Sequence, residues 1–153
     1  MPNPLRQHRL AAYLSQSGRC FYCGAAMWLA GVEGFARKYG MSVGRAWFFR
    51  CTAEHLLARS EGGGDGQENI VAACCYCNRK RHERKRPMPP ESYRRHVLGR
   101  LQRGRWHQAW VFRCADGLLP ARTPAKMFPK GDQVHVFAQK QKEPNDESTS
   151  LFS

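Results

Sequence analysis

Apolar residues recur at near-helical spacing across residues 4–16, which predicts a short amphipathic helix near the start of the chain. Gly18 is the kind of residue that follows a helix, so we expect the helix to end there. Residues 25–45 mix glycines with aromatic side chains and predict an irregular insertion with room for one short helix. The apolar positions of the first helix are Leu5, Leu10, Tyr13 and Leu14.

The middle of the chain alternates strand-like and turn-like segments. The aromatic run AWFFRC at residues 46–51 predicts one strand, and ENIVAA at residues 68–73 predicts a second. Four glycines between them predict a turn. After Cys77 the run NRKRHERKR predicts a helix that the following prolines terminate. The predicted order is strand, glycine loop, strand, helix.

Two further elements are predicted downstream. Residues 91–102 read as a helix and WHQAWVFRC, residues 106–114, as a strand. The polar composition of residues 139–153 predicts a disordered tail. The predicted organisation has four parts: an N-terminal helix at 1–18 that packs on the core, a core at 19–86 that contains the insertion at about 25–45, a basic extension at 87–138 expected to contact DNA, and the tail at 139–153.

Composition and charge indicate the class of partner. The chain has 153 residues, about one domain, and its 25 Lys and Arg against 12 Asp and Glu give a formal charge of +13. This excess favours a polyanionic partner, with nucleic acid as the first candidate. No apolar stretch approaches the roughly 20 residues of a spanning helix, and the N-terminus lacks the apolar core of a signal peptide. We therefore expect a cytoplasmic protein without a membrane partner.

Seven cysteines in such a chain are better interpreted as thiolate ligands than as disulfides. Two Cys-x-x-Cys pairs have the spacing that lets two sulfurs of one tight turn reach a tetrahedral ion, and four thiolates favour zinc. The alternatives are a redox dithiol or unrelated buried cysteines, and Cys75 could replace one ligand only in a less suitable Cys-x-Cys pair. Cys51 and Cys114 are expected to be buried or free thiols. The predicted zinc ligands are Cys20, Cys23, Cys74 and Cys77.

Between and after the cysteine pairs, several short motifs occur in a characteristic order. They are Glu54-His55, SEGG at 60–63, ENIV at 68–71, Cys74, Cys77, Asn78 and Lys80. In this order and spacing the chain resembles the HNH endonucleases of the zinc-bearing ββα-metal kind over about residues 19–86. The resemblance implies an α+β fold with a small zinc-stapled, treble-clef-like core. It also implies that the first strand supplies an acid and a histidine, and that the helix after the last cysteine returns a metal ligand beside them.

The chemistry of these residues agrees with phosphodiester cleavage, which needs a deprotonated water and neutralisation of charge on the phosphate. Histidine can accept a proton near neutral pH, so His55 is the candidate general base. Glu54 offers a hard anionic oxygen for Mg²⁺ or Mn²⁺, and Asn78 a neutral carbonyl oxygen. His82 would share a helical face with Asn78 and is either a further metal ligand or a solvated side chain. A four-cysteine zinc site has no open coordination position and serves only the fold.

Three of these residues carry additional expectations. Adjacent strand residues point to opposite faces, so Glu54 and His55 predict an irregular strand end. Asn69, beside the glycine loop, is expected to fix the turn through backbone hydrogen bonds and to have a structural role. Asn78 stands where many HNH members carry histidine, as in the HNN variant, and the alternative to metal ligation is a helix N-cap.

The basic run after the second cysteine pair is the candidate nucleic-acid contact, with a solvated basic face as the alternative. Its members are Arg79, Lys80, Arg81, Arg84, Lys85 and Arg86.

Together these features predict a divalent-metal-dependent endonuclease that hydrolyses DNA, most simply duplex DNA, as a monomer or homodimer. Structural zinc and a catalytic Mg²⁺ or Mn²⁺ are the predicted cofactors. Two alternatives stay open: a zinc-ribbon nucleic-acid-binding protein without catalysis, and the same nuclease core acting on RNA or branched DNA.

Overall fold

The computed structural model describes residues 3–121. Within that part the chain forms a two-stranded sheet surrounded by five α-helices and several short 3₁₀ turns. The tail predicted at 139–153 and the end of the predicted basic extension lie outside the described residues. The elements are α1 Pro4–Ser15, α2 Val32–Tyr39, α3 Val43–Ala46, β1 Cys51–His55, β2 Ile70–Cys74, α4 Cys75–His82 and α5 Pro90–Gln102.

Helix α1 confirms the first predicted helix and is delimited by local signals at both ends. The Asn3 side chain accepts a hydrogen bond from the Leu5 backbone N–H at 2.9 Å, and proline occupies the first turn. At the other end Gly18 has φ +70°, and its N–H bonds the Tyr13 carbonyl at 2.8 Å. The helix packs across both strands of the sheet. Its position therefore makes it one wall of the space beside β1.

Strands β1 and β2 are antiparallel, with Cys51 opposite Cys74 and His55 opposite Ile70. The prediction of a strand at 46–51 is wrong, because α3 and a 3₁₀ turn occupy residues 43–49. Ser42 caps this short helix by accepting from the Arg45 N–H at 3.3 Å. Of the aromatic residues that suggested a strand, Phe49 is buried in the core and Phe48 packs against it from a helical backbone, while Trp47 is 47% exposed. The predicted irregular end of β1 is also wrong, since pairing continues through His55.

Helix α4 starts directly after β2. The Cys74 sulfur accepts a hydrogen bond from the Cys77 N–H at 3.4 Å, so Cys74 is the N-cap and Asn78 lies inside the helix. The N-cap alternative for Asn78 is thus wrong. The helix ends at His82 rather than continuing through the basic run. Repulsion between like charges four residues apart, such as Lys80 and Arg84, disfavours its extension.

Helix α5 confirms the prediction at 91–102, but the predicted strand at 106–114 is wrong. Residues Ala109–Arg113 form a 3₁₀ turn that buries Trp110 and Val111. Trp106 and Trp110 are both buried, and their spacing of four residues puts them on one face of a strand as well as of a helix, so spacing alone did not distinguish the two.

Aromatic side chains dominate the core between the sheet, α5 and the first cysteine pair. Tyr22 is fully buried and packs edge-to-face on Tyr93 with ring centroids 4.8 Å apart. Phe49, Val97 and Leu118 are buried beside them.

None of the helices in residues 3–121 is long and apolar enough to cross a membrane.

Candidate functional site

The four predicted zinc ligands come together at one point in the core. The sulfurs of Cys20, Cys23, Cys74 and Cys77 all lie within 4.8 Å of one another, and all four residues are buried. The sulfurs of Cys23 and Cys74 are 3.9 Å apart. Zinc–sulfur bonds of about 2.3 Å place the sulfurs of a tetrahedral site about 3.8 Å apart, so the cluster fits zinc. Cys75 points elsewhere and is not part of it.

Donated hydrogen bonds surround this cluster. The Cys74 N–H donates to the Cys20 sulfur at 3.3 Å, and the Trp106 indole N–H donates to the Cys77 sulfur at 3.3 Å. Such donors stabilise thiolates in the outer shell of a metal site. Trp106 was not predicted in this role, because sequence spacing alone does not bring the segment after α5 to the cysteines.

When no cation is bound, burial opposes the ionisation of two of these four cysteines. Burial raises the pKa of Cys74 and of Cys77. For Cys23, burial is outweighed by hydrogen bonds from the neighbouring cysteines and His107, and its pKa is lowered. A divalent cation would hold all four as thiolates and complete a closed site without an open coordination position. This centre can therefore staple the fold but cannot activate water.

Glu54 leaves β1 on the side of α4 and is almost completely buried, with 2% of its surface exposed. The Tyr22 hydroxyl donates to its Oε1 at 3.0 Å, and Arg81 forms an ion pair with the same oxygen. Burial and the neighbouring Glu54 carboxylate both raise the pKa of Tyr22, so the phenol stays protonated and donates. Arg81, only 3% exposed, supplies the charge that makes a buried carboxylate tolerable.

Glu54 also contacts His82. His82 Nε2 lies 3.2 Å from both Oε1 and Oε2 of the carboxylate, and the His82 side chain is 40% exposed. This separation is that of a hydrogen bond, and two ligands at right angles on one cation with bonds of about 2.1 Å would also be about 3.0 Å apart, so the pair could hold a divalent cation. Imidazole suits Mn²⁺ better than Mg²⁺. The site would hold water at its remaining positions.

Asn78 lies one helical turn before His82 and contacts a different part of β1. Its side-chain amide donates to Thr52 Oγ1 at 3.0 Å and to the Ala53 carbonyl at 3.3 Å. Asn78 thus ties α4 to the strand beside Glu54. Of the two predicted helix ligands, His82 is the one in direct contact with the carboxylate.

His55 leaves β1 toward the opposite side from Glu54. Its Nε2 lies 2.7 Å from Asp65 Oδ1, and 17% of its side chain is exposed. The Asp65 carboxylate is also held by Arg59, with Nη2 2.6 Å from Oδ2. Hydrogen bonds from His55 and then from Arg59 lower the pKa of Asp65, so it stays ionised. Sequence reasoning missed Asp65, whose signal was an acidic residue among the loop glycines.

The contact with Asp65 fixes the tautomer of His55. Nε2 cannot both donate to Asp65 and accept from Arg59, whose Nε is 3.4 Å away. We assign the proton to Nε2 because the Asp65 contact is the shorter of the two. No residue within 3–121 hydrogen-bonds the other nitrogen, Nδ1. A neutral imidazole held in this way is arranged to accept a proton at Nδ1.

The glycine loop determines where Asp65 lies. Gly62 has φ +87°, and a Cβ on Gly63 would collide with the Leu57 carbonyl oxygen. Asn69 closes the loop by accepting from the Leu57 N–H at 2.8 Å and donating to the Gly64 carbonyl at 2.8 Å. These contacts are all with backbone atoms, which favours the structural role predicted for Asn69.

The loop is also tied to α1. His8 Nδ1 lies 2.6 Å from the Asp65 backbone oxygen. The side of the sheet that carries His55 is therefore the side covered by α1, and the side that carries Glu54 is covered by α4.

The predicted basic run divides into two groups. Arg79, Lys80, Arg84, Lys85 and Arg86 are exposed. The prediction that Arg81 contacts phosphate from the protein surface is wrong. Arg81 is buried against Glu54 and also donates a hydrogen bond to the His55 carbonyl at 3.2 Å. Its position on α4, on the same face as Asn78, turns it toward β1.

Residues 46–84 match the family model described as HNH endonuclease. This segment contains β1, the glycine loop, β2 and α4, and with them Glu54, His55, Asp65 and His82. No curated protein and no solved structure matches the chain. The family segment and the cysteine cluster together indicate a zinc-stapled ββα core and a nuclease or nucleic-acid-binding function.

Proposed function

We propose that this chain, whose residues 46–84 form an HNH endonuclease segment, is a divalent-metal-dependent nuclease that hydrolyses DNA with His55 as general base. One observation carries the proposal. The end of β1 combines an imidazole oriented by a carboxylate, His55 with Asp65, and a carboxylate–imidazole pair, Glu54 with His82. His55 is the last residue of β1, and we place the scissile phosphodiester at this strand end, between the two pairs.

In the proposed reaction His55 Nδ1 accepts a proton from the attacking water. The water oxygen forms a bond to phosphorus, and the bond from phosphorus to the 3′ oxygen breaks. The resulting charge on His55 is offset by the ionised Asp65 carboxylate, 2.7 Å from Nε2. By resemblance to the family, the product carries a 5′-phosphate.

Glu54 and His82 are the residues proposed to hold the catalytic cation, with Asn78 as a neighbouring candidate. When bound, Mg²⁺ or Mn²⁺ supplies charge neutralisation at the phosphate and at the departing oxygen. Tyr22 and Arg81 both bond Oε1 and hold the carboxylate in place, with both of its oxygens 3.2 Å from His82 Nε2. The exposed basic residues after Arg81 would attract and hold the phosphate backbone.

The test is incubation of the purified protein with supercoiled plasmid in buffers that contain Mn²⁺, Mg²⁺ or neither. Omission of the added cation, rather than chelation, leaves the zinc in place. We expect nicked or linear plasmid with Mn²⁺, less with Mg²⁺ and none without either. A panel of duplex, single-stranded, branched and RNA substrates then identifies the preferred class. Intact plasmid in every buffer would contradict the proposal.

A second candidate is a nucleic-acid-binding protein without catalysis. The Arg81 ion pair favours it, since an arginine charge on Glu54 competes with a cation for the same carboxylate. This candidate predicts that the protein retards plasmid migration but never changes its topology.

A further inference from the structure

An arginine-lined cleft lies between α1 and the start of β1, apart from the residues described above. It encloses about 270 Å³. Arg6 and Arg9 come from α1 and Arg50 from the residue before β1, while Thr52 and Ala53 line the strand side. The cleft has no acidic side chain in its lining. Three arginines, two from α1 and one from just before β1, thus line one small space.

The charges in this cleft are not balanced by the part of the chain that the structure describes. Within residues 3–121 none of the three arginines forms an ion pair with a carboxylate. Arg50 instead stacks over the Trp47 ring at 5.4 Å. Arg9 Nε is buried and has no hydrogen-bond partner. A buried donor without a partner, among like charges, favours an anion that accepts from it.

The cleft's size and chemistry define the anion. A planar guanidinium group can donate two hydrogen bonds to the oxygens of one phosphate, which the compact ammonium group of lysine does not match in geometry. The volume is below the roughly 300–1,000 Å³ of pockets that enclose small molecules. A single phosphate group fits, whereas a whole nucleotide with its base would not be enclosed.

The cleft is close to His55 on the same side of the sheet. Ala53 and His55 lie on the same face of β1, two residues apart, which is about 7 Å along a strand. Phosphates of one nucleic-acid strand are spaced about 3.4 Å along a duplex axis. His8, between Arg6 and Arg9 on α1, contacts the Asp65 backbone oxygen and joins this helix to the His55 loop. Arg50 is five residues from His55, which is about 17 Å along a strand. A nucleic-acid strand that crosses His55 therefore passes the cleft about two to five nucleotides away.

We propose that the arginine cleft binds a backbone phosphate of the nucleic-acid substrate, about two to five nucleotides from the phosphate that is cleaved. Helix α1 is then part of the substrate-binding surface, and the cleft determines in which direction the strand runs past His55. The distance to the cleaved phosphate rests on the proposed function, because it assumes that the DNA is cut at His55. The binding of a backbone phosphate by the cleft does not depend on cleavage.

The first test compares two double variants with equal loss of charge. Arg6→Gln with Arg50→Gln removes the two exposed cleft arginines, and Arg37→Gln with Lys38→Gln removes two exposed basic residues of α2 that do not line it. Fluorescence anisotropy with a labelled DNA duplex, without added divalent cation, gives Kd across a salt series. We expect the cleft variant to raise Kd about tenfold and to lower the salt slope by about 1, and the control to change neither. Equal effects in both variants would overturn the proposal.

The second test locates the phosphate. Duplexes with a single uncharged methylphosphonate, moved one position at a time, are compared in binding to the wild-type protein and the cleft variant. One position should weaken the wild type and leave the cleft variant unaffected, and it should lie about two to five nucleotides from the cut. Equal sensitivity of both proteins at every position would refute the site. If the DNA is bound but never cut, the proposed function fails. The anisotropy comparison still decides whether the cleft binds a backbone phosphate.

Discussion

The zinc cluster and the end of β1 lie at opposite ends of the same strand pair, yet they differ in burial and in access to solvent. The four cysteines are fully buried, receive hydrogen bonds from backbone and indole N–H groups, and leave no coordination position open. At the end of β1, His55 and His82 are partly exposed, and each is held by a carboxylate. A closed centre contributes stability, whereas an open one can admit a substrate.

The two regions are connected by α4, which carries residues of both. Cys77 belongs to the zinc cluster, and Arg81 and His82, four and five residues later, contact Glu54. Closing the zinc cluster fixes the start of this helix and so places the second ligand pair. The difference between the regions predicts that changes in the cluster abolish the fold, whereas changes at the strand end alter activity.

The largest expected effect is the loss of one zinc ligand. Cys77→Ser should release the zinc and abolish the cooperative thermal transition, because the coordination energy is part of the folding energy. Zinc content and a melting curve monitored by circular dichroism measure both. Cys75→Ser is the matched control, since Cys75 lies on the same helix outside the cluster. A zinc-loaded, cooperatively melting Cys77→Ser protein would refute the assignment.

A smaller loss is expected from Arg81→Met, which leaves the Glu54 carboxylate buried without its partner. Breaking a buried ion pair costs about 3–5 kcal/mol, and urea unfolding should show a loss of that order. Adding Glu54→Gln to the same protein should recover much of the stability, because no charge is then left buried. Exposed Arg79→Met is the control and should change stability by less than about 0.5 kcal/mol. An Arg81→Met loss no larger than the control's would argue against the pair.

Asp65→Asn should affect the rate more than the fold. It removes the charge that orients His55, so kcat should fall, by less than the roughly 10²–10⁴-fold that general-base catalysis supplies, with KM nearly unchanged. Steady-state cleavage of a short duplex measures both constants. An unchanged kcat would show that Asp65 does not position the base.

The pH dependence of stability gives an independent check on Asp65. Hydrogen bonds from His55 and Arg59 lower the pKa of this carboxyl in the folded protein. Its contribution is therefore present at neutral pH and is lost as the pH falls through the lowered value. The stability difference between wild type and Asp65→Asn should be present at neutral pH and vanish once the pH is below the lowered pKa of Asp65. A difference that persisted undiminished at that acidity would contradict the assigned interaction.

The sequence predicted the parts of the molecule that depend on spacing. Two Cys-x-x-Cys pairs with an intervening strand–loop–strand pattern were enough to predict the cluster, because tetrahedral geometry tolerates few arrangements. The glycine loop and α5 were predicted for similar local reasons. The match at residues 46–84 agrees with the resemblance that these motifs suggested.

The parts that depend on tertiary contacts were not predictable. The aromatic residues at 46–51 and 106–114 suggested strands, but Phe49 and Trp110 are buried in the core from 3₁₀ turns, because tertiary packing overrides strand propensity there. Arg81 was indistinguishable from its basic neighbours until its position opposite Glu54 was known. Asp65 likewise acquired a role only when the loop folded against His55.

The most direct measurement compares wild type and His55→Ala in plasmid cleavage with Mn²⁺, using preparations checked for zinc content and thermal melting. The wild type should nick the plasmid. His55→Ala should bind DNA, retain zinc and melt like the wild type, yet leave the plasmid intact, since His55 lies outside the cysteine cluster. Cleavage retained by His55→Ala, or its loss together with zinc, would contradict the separation of the structural centre from the catalytic one.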